Sequence, residues 1–232
     1  MPSQKLMELG KVKPCTIIKR LNRFVVEIKI DSIHTYASIN NTGKLQDFLV
    51  NGNKGYCVEK STGKTGYKLI AVQDIEKASL IDTHLQMRAF EKALENKLIP
   101  WLADCKIIRR NPRVMKSVLD YLLENETYVE IKSAVLRVEN KASYPDCPTE
   151  RGRRHIRDLI ELARKGKKAM IIFLAGLAKV KAFTPARWID YKVADALVEA
   201  KKEGVKIKAL SMYFDPEDST IVLENSDLPV KL

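Results

Sequence analysis

The sequence predicts a mixed α/β protein in two parts: a small all-β domain at residues 1–82 and an α/β domain with a mixed sheet at residues 83–232. Three observations carry that prediction. The first part holds several short β-rich runs separated by Gly/Asn turns, the mark of a small barrel or sandwich. The second part reads strand–strand–strand–helix–strand–helix–strand, an α/β arrangement. Between them a helical pattern runs from about Thr83 to Lys97, with Leu85, Ala89, Ala93 and Leu94 on one side, and Pro100 closes it.

In the first part, "CTIIKRL", "RFVVEIKID" and "IHTYASI" are β-rich. Alternation is clearest in the second run, where Phe24, Val26, Ile28 and Ile30 share a face, so Phe24 is expected in the core. "NNTGK" and "NGNKG" supply turns, and "GYCVEK", "GYKLIAVQDI" and "KASLI" supply further strands. An OB-like barrel is one form such a domain takes, and that fold commonly offers a basic, aromatic-bearing face to nucleic acid. Arg20, Arg23, Lys29 and Tyr36 are candidates for such a face.

In the second part, "CKIIRR", "VLDYLL" and "TYVEIKSAVLRV" predict a three-strand meander. A helix from about Thr149 to Lys165 follows, with Thr149 as N-cap, and then a strand at "KAMIIFLA". A helix near Ile189 to Lys202, ended by Gly204, and a strand at "VKIKALSMYF" complete the pattern.

Composition narrows the function classes. Hydrophobic content of 45% and charged content of 30% describe a globular chain rather than a disordered one. The longest apolar segment, "AMIIFLAGLA", falls short of the roughly 20 residues a membrane helix needs, and the start has no apolar core of a leader. A cytoplasmic protein with no membrane partner is expected. The cysteines at 15, 57, 105 and 147 form no CxxC pair and are expected as reduced thiols.

The net charge is +12, spread evenly: residues 1–100 carry 16 Lys+Arg against 10 Asp+Glu, and residues 101–232 carry 25 against 19, an excess of +6 in each. Such a surplus favours a polyanionic partner, DNA and/or RNA above all, because neutralising phosphates releases counterions. A Lys/Glu-rich surface adapted to heat is the alternative source of the same charge. No helix-turn-helix pattern is visible, and "STGKTG" lies between strands, where it reads as a turn rather than a nucleotide loop.

The stretch "LDYLLENETYVEIK" carries the chemistry. Tyr128, Glu130 and Lys132 share one face of a strand. A three-residue turn centred on Asn125 puts Asp120 directly across from Glu130, with side chains about 5 Å apart at Cβ; an even loop would turn Asp120 to the other face. Adjacent carboxylates repel unless a cation sits between them, and a hard divalent ion, Mg²⁺ or Mn²⁺, suits oxygen ligands. Lys132, one pleat on, completes a constellation suited to metal-assisted phosphodiester hydrolysis. The competing reading is a solvated charged hairpin. Downstream, Arg151 and His155 are four apart on a helix whose N-terminus favours phosphate.

These residues also carry a family resemblance. "VLDYLL…YVEIKSAVL…YPDCPTERGRRHI", the Asn41–Thr42–Gly43 turn, Arg20 with Asn22–Arg23–Phe24, "FTPARWID", "EAKKEGVKI" and "LPVKL" together resemble the sugar fermentation stimulation protein (SfsA) family. The resemblance implies an OB-like barrel followed by a PD-(D/E)xK nuclease-like domain. It implies catalytic Asp120, Glu130 and Lys132, metal ligands Asp120 and Glu130, and nucleic-acid contacts at Arg20, Arg23, Arg151 and His155. A divalent-metal-dependent nuclease is the function it implies, with a non-catalytic DNA-binding regulator of sugar utilisation as the alternative and a homodimer left open. The chain departs from the family pattern at Val118, where Arg is usual, and at Met87, where Asn is usual; Arg113 is a nearby arginine.

Overall fold

Val26, Ile28 and Ile30 are all buried on one side of β3 (Val25–Ile30), as period-two spacing requires. In the computed structural model, which describes residues 3–232, that strand belongs to the first of two compact units. Its other early strands are β1 (Gln4–Glu8), β2 (Val12–Arg20), β4 (Ile33–Ser38), β5 (Lys54–Glu59), β6 (Tyr67–Asp74) and β7 (Lys77–Leu80). The order β4–β3–β2–β5–β6, closed by a parallel β4–β6 pairing, makes a five-stranded barrel. Cys15, Ile17, Val26, Ile28, Ala37, Cys57 and Leu69 fill it. Closure removes the free edges that a small open sheet would expose.

Helix α1 (Thr83–Glu95) follows, started by Asp82, whose carboxylate accepts from the Leu85 amide at 2.8 Å. All four cysteines are free thiols, with the Sγ atoms of Cys15 and Cys57 3.4 Å apart in the barrel core.

Two expectations change here. Phe24 is 56% exposed, not core: it precedes the first residue of β3, in the turn after β2, so strand alternation does not reach it. The first unit also extends past residue 82, taking in residues up to 92 together with 176–179 and 211–225. The reason is pairing. The strand Thr220–Asn225 lies antiparallel to β1, and Phe214 pairs with Ala78 of β7.

The second unit is built on β8 (Ile107–Arg110), β9 (Arg113–Val114), β10 (Ser117–Val118), β11 (Tyr121–Leu123) and β12 (Thr127–Ala134). Then come β13 (Leu136–Val138), β14 (Lys141–Tyr144), α2 (Glu150–Arg164), β15 (Lys168–Ala175), β16 (Ala182–Pro185), α3 (Tyr191–Lys202) and β17 (Lys206–Asp215), whose residues 211–215 belong to the first unit. The Thr220–Asn225 strand of the first unit is β18. The main sheet runs β17–β15–β12–β11–β8, with the antiparallel meander β8–β11–β12 and a parallel pairing of β12 with β15. β15 is apolar from Ala169 to Ala175 and buried throughout that span, as a strand covered on both faces must be.

The run "VLDYLL" does not form one strand. Ser117 and Val118 pair with β9 in a small hairpin, and the chain joins the sheet only at Tyr121. "TYVEIKSAVLRV" is likewise cut at Val135, beyond which β13 enters a second sheet of order β13–β14–β16. That sheet packs aromatically: the rings of Phe173 and Phe183 stack at 3.9 Å and Tyr144 lies 5.6 Å from Phe173. α2 begins as expected, with Thr149 Oγ1 accepting from the Gly152 amide at 3.0 Å. Gly204, at φ +90°, follows α3 in the left-handed region that glycine adopts without strain.

Candidate active site

Tyr121 pairs with Val129 and Leu122 with Tyr128, so the β11–β12 hairpin is centred on Asn125. One step further that register sets Asp120 opposite Glu130. Asp120 itself stands just outside β11, because Leu119 turns away to bond Pro112. A continuing ladder would have offered Ile131 a backbone carbonyl. Instead the Asp120 carboxylate accepts that amide, Ile131 N to Oδ2 at 2.6 Å. The side chain therefore ends the strand pairing and faces Glu130 at once.

Glu130 is 3% exposed, yet it carries two cationic or donor neighbours. Its Oε1 is shared by the Lys132 ammonium and by His155 Nδ1, the latter at 2.5 Å. Its Oε2 is buried without a hydrogen-bond partner. Burial would raise this carboxyl's pKa, but Lys132 and His155 outweigh it and hold it below the usual range. Burial would likewise depress the Lys132 ammonium; Glu130, with smaller help from Tyr144 and Asp120, keeps it above its ordinary value and so protonated. Asp120 goes the other way. Burial first, then the Glu130 charge, push it up to about 7.

Two carboxylates thus sit together with different characters, one firmly ionised and one poised near neutrality. Their donor set is hard oxygen, and Glu130 Oε2 is a buried acceptor with nothing to accept from. Both properties fit a hard divalent cation. Among the described residues no group of three or more His, Cys, Asp or Glu side chains converges to hold a metal. Asp120 and Glu130 are the two residues that would hold such an ion.

α2 supplies the site's other wall. Its buried stripe is Gly152, His155, Ile156, Leu159 and Ile160, the 3.6-residue period of an amphipathic helix. His155 lies in that stripe, 2% exposed, so it reaches Glu130 rather than solvent. The placement of His155 as a nucleic-acid contact is corrected accordingly: no ligand can touch it from outside. The stripe itself was the available signal. Arg151 remains exposed, with its Nε 3.4 Å from His155 Nε2. With Arg151 Nε donating at Nε2, Nδ1 is the ring nitrogen left to donate to Glu130.

Tyr144, unnoticed in the sequence, ends β14 beside Lys132, and its hydroxyl bonds Thr149. Burial pushes its phenol above the usual range, so it stays a donor. Gly152 makes room for it: a Cβ there would lie 2.5 Å from the Tyr144 hydroxyl and 2.7 Å from Thr149 Cγ2. Asp190, the N-cap of α3, fastens the start of α2 by accepting from the Thr149 amide at 3.0 Å and from Arg153 at 3.0 Å.

In the first unit, Arg20 is a brace. Its guanidinium donates to the carbonyls of Asn22, Gly43, Lys44 and Arg23, tying the turn after β2 to the Asn41–Gly43 turn. That leaves its fork engaged with backbone rather than phosphate, a second correction. Arg23, Phe24 and Tyr36 are exposed on this unit. In the second unit Arg113 is the cross-strand partner of Val118, and both are exposed.

Comparison with known proteins agrees with this architecture. Residues 18–81 match the model described as SfsA N-terminal OB domain, and residues 84–218 match the sugar fermentation stimulation protein RE domain. A sugar fermentation stimulation protein homolog of Pyrococcus furiosus is 49% identical over 91% of this chain and 93% of its own. One of Archaeoglobus fulgidus is 41% identical over 97% and 99% respectively. The solved structure of Pyrococcus furiosus SfsA in complex with Ca²⁺ superposes with a TM-score of 0.95 at 46% identity, covering 99% of this chain and 100% of that one. No helix among the described residues is long and apolar enough to cross a membrane.

Proposed function

The chain belongs to the sugar fermentation stimulation protein family, and from that premise we propose that it is a divalent-metal-dependent nuclease of the PD-(D/E)xK type, hydrolysing phosphodiester bonds of DNA or RNA. The observation that carries the reading is the buried, partnerless Oε2 of Glu130, a carboxylate close enough for its charge to act on Asp120 and on which Lys132 is anchored. A surface that merely bound phosphate would gain nothing from two acids there, since each repels the ligand. The Ca²⁺ complex of the Pyrococcus furiosus relative supports a divalent-cation site, which Mg²⁺ or Mn²⁺ would fill in catalysis.

Asp120 and Glu130 would hold the ion, which would supply positive charge to the phosphate and acidity to the attacking water. Lys132 remains a fixed cation that orients water and phosphate while neutralising Glu130. His155 locks the Glu130 rotamer. Arg151, exposed at the first turn of α2, contacts the phosphate backbone, and the +12 charge draws in the polyanion.

The relatives are named for stimulation of sugar fermentation, which favours a second reading: a DNA-binding regulator that has no cleavage activity. One experiment separates the two. Single- and double-stranded DNA and RNA are incubated with Mg²⁺, Mn²⁺ or EDTA and with wild type, Asp120→Asn or Lys132→Met. Metal-dependent cleavage that both substitutions abolish, with binding retained, is the expected result. Binding without cleavage under any metal would leave the regulator.

A further inference from the structure

Beside this site two large aromatic side chains stand open to water. Trp188 is 63% exposed and Tyr191 57% exposed, three residues apart around the N-cap of α3. Their position is set by bonds to the site's own walls. The Ala186 amide donates to the Tyr144 carbonyl at 2.8 Å, and Pro185 pairs with Tyr144 across β14–β16. Asp190, between the two aromatics, grips the Thr149 amide and Arg153 of α2. Trp188 thus stands two residues from a backbone bond to Tyr144, the neighbour of Lys132.

Charge nearby is mainly basic. Arg151, Arg154 and Lys192 are exposed, and Lys192 lies over the Tyr191 ring at 5.9 Å. The acids are largely occupied: Asp190 is buried against Arg153, and Asp195 pairs with Arg187, leaving Glu150 exposed in the first turn of α2. Two exposed aromatic rings among cations, on a segment bonded to Tyr144 and Thr149, match the way unpaired bases are held: backbone on the charges, base on the ring.

We propose that Trp188 and Tyr191 form a stacking platform for unpaired bases, so that the nucleic acid reaching the candidate site is single-stranded or locally opened there. The inference rests on the nucleic-acid reading above and adds the strandedness of the substrate. In a continuous duplex the bases are stacked on one another and offer the rings no face.

The test uses the full-length chain with Trp101→Phe, which leaves Trp188 as the single indole, since the sequence has two tryptophans. Binding is measured in EDTA with an oligo-deoxythymidine of about 12 nucleotides, inside the usual site size for single strands, and with a blunt duplex of equal length. Trp188 emission is expected to be quenched by the single strand. Trp188→Ala is expected to weaken single-strand binding on the order of tenfold, with Trp188→Phe restoring most of it and duplex binding little changed. Unchanged emission on saturating single strand, or equal affinity in Trp188→Ala, overturns the proposal. So does emission that follows protein concentration alone, which would mark a self-association surface. Because no step needs cleavage, an inactive protein that still stacks bases would sink the nuclease and leave this platform standing.

Discussion

His155 Nδ1 lies 2.5 Å from Glu130 Oε1, and both groups are almost wholly removed from water. The contact fixes which carboxylate oxygen is left for a ligand, since Oε1 is shared with Lys132 and Oε2 is not shared at all. His155→Ala should weaken divalent-ion binding roughly 10–100-fold, the usual effect of removing a group that orients a ligand. It should also cost about 1.5–3 kcal/mol of stability, because a charged acceptor loses its donor. Calorimetric titration with Ca²⁺ or Mn²⁺, beside chemical denaturation, reads both; unchanged affinity would remove His155 from any role at the metal.

Asp120 carries a pH signature. Its carboxyl rises from 3.8 to about 7 on folding, so the folded state binds the proton more tightly than the unfolded chain. The sign follows: stability is fully present below about pH 4 and is lost as pH rises through 7, by linkage on the order of 4 kcal/mol. Denaturation of the metal-free protein in EDTA should show this decline between about pH 4 and 7 beyond that of Asp120→Asn. A divalent ion should raise the melting temperature more at pH 8 than at pH 5. A wild-type profile parallel to the variant's would contradict the assignment.

Gly152→Ala tests the close approach at the start of α2. Alanine normally helps a helix by about 1 kcal/mol over glycine. Here its Cβ would collide with the Tyr144 hydroxyl and Thr149, a conflict typically worth 1–3 kcal/mol. Net destabilisation is expected in urea melts, and Tyr144→Phe in the same chain should recover part of it by removing the hydroxyl. A stabilised Gly152→Ala would mean the wall yields.

Arg20 separates brace from ligand contact. Arg20→Lys keeps the charge but loses the fork that reaches four carbonyls, so it should destabilise the protein by about 2 kcal/mol, near the Arg20→Ala value. Equal stability of Arg20→Lys and wild type, with weakened nucleic-acid binding only in Arg20→Ala, would return the residue to the phosphate contacts.

Much of the architecture was readable because it follows periodicity. β15 is an unbroken apolar run, α2 announces itself by Thr149 and its stripe, and the hairpin register follows from a loop centred on Asn125. What escaped detection depends on partners distant in sequence. β1 has five residues and little alternation, and is held by β18, more than 200 residues away. Phe24 obeys the alternation of a strand it does not belong to. Arg20 and His155 carry functional chemistry in general, and only the carbonyls around one and the carboxylate beside the other assign them to structure. Tyr144 gave no signal of its own, because its role comes from where β14 meets α2.

The pairing of β1 with β18 sets a timetable for synthesis. A ribosome adding about 5–20 residues per second releases β1 roughly 10–40 s before its partner exists. The five-stranded barrel closes on itself by residue 74, so it can form early. β1, with Leu6 destined for burial, must wait unpaired until nearly the whole chain has emerged. Until residue 220 has been made, the amino-terminal edge of the nascent chain therefore stays open to pairing with other strands.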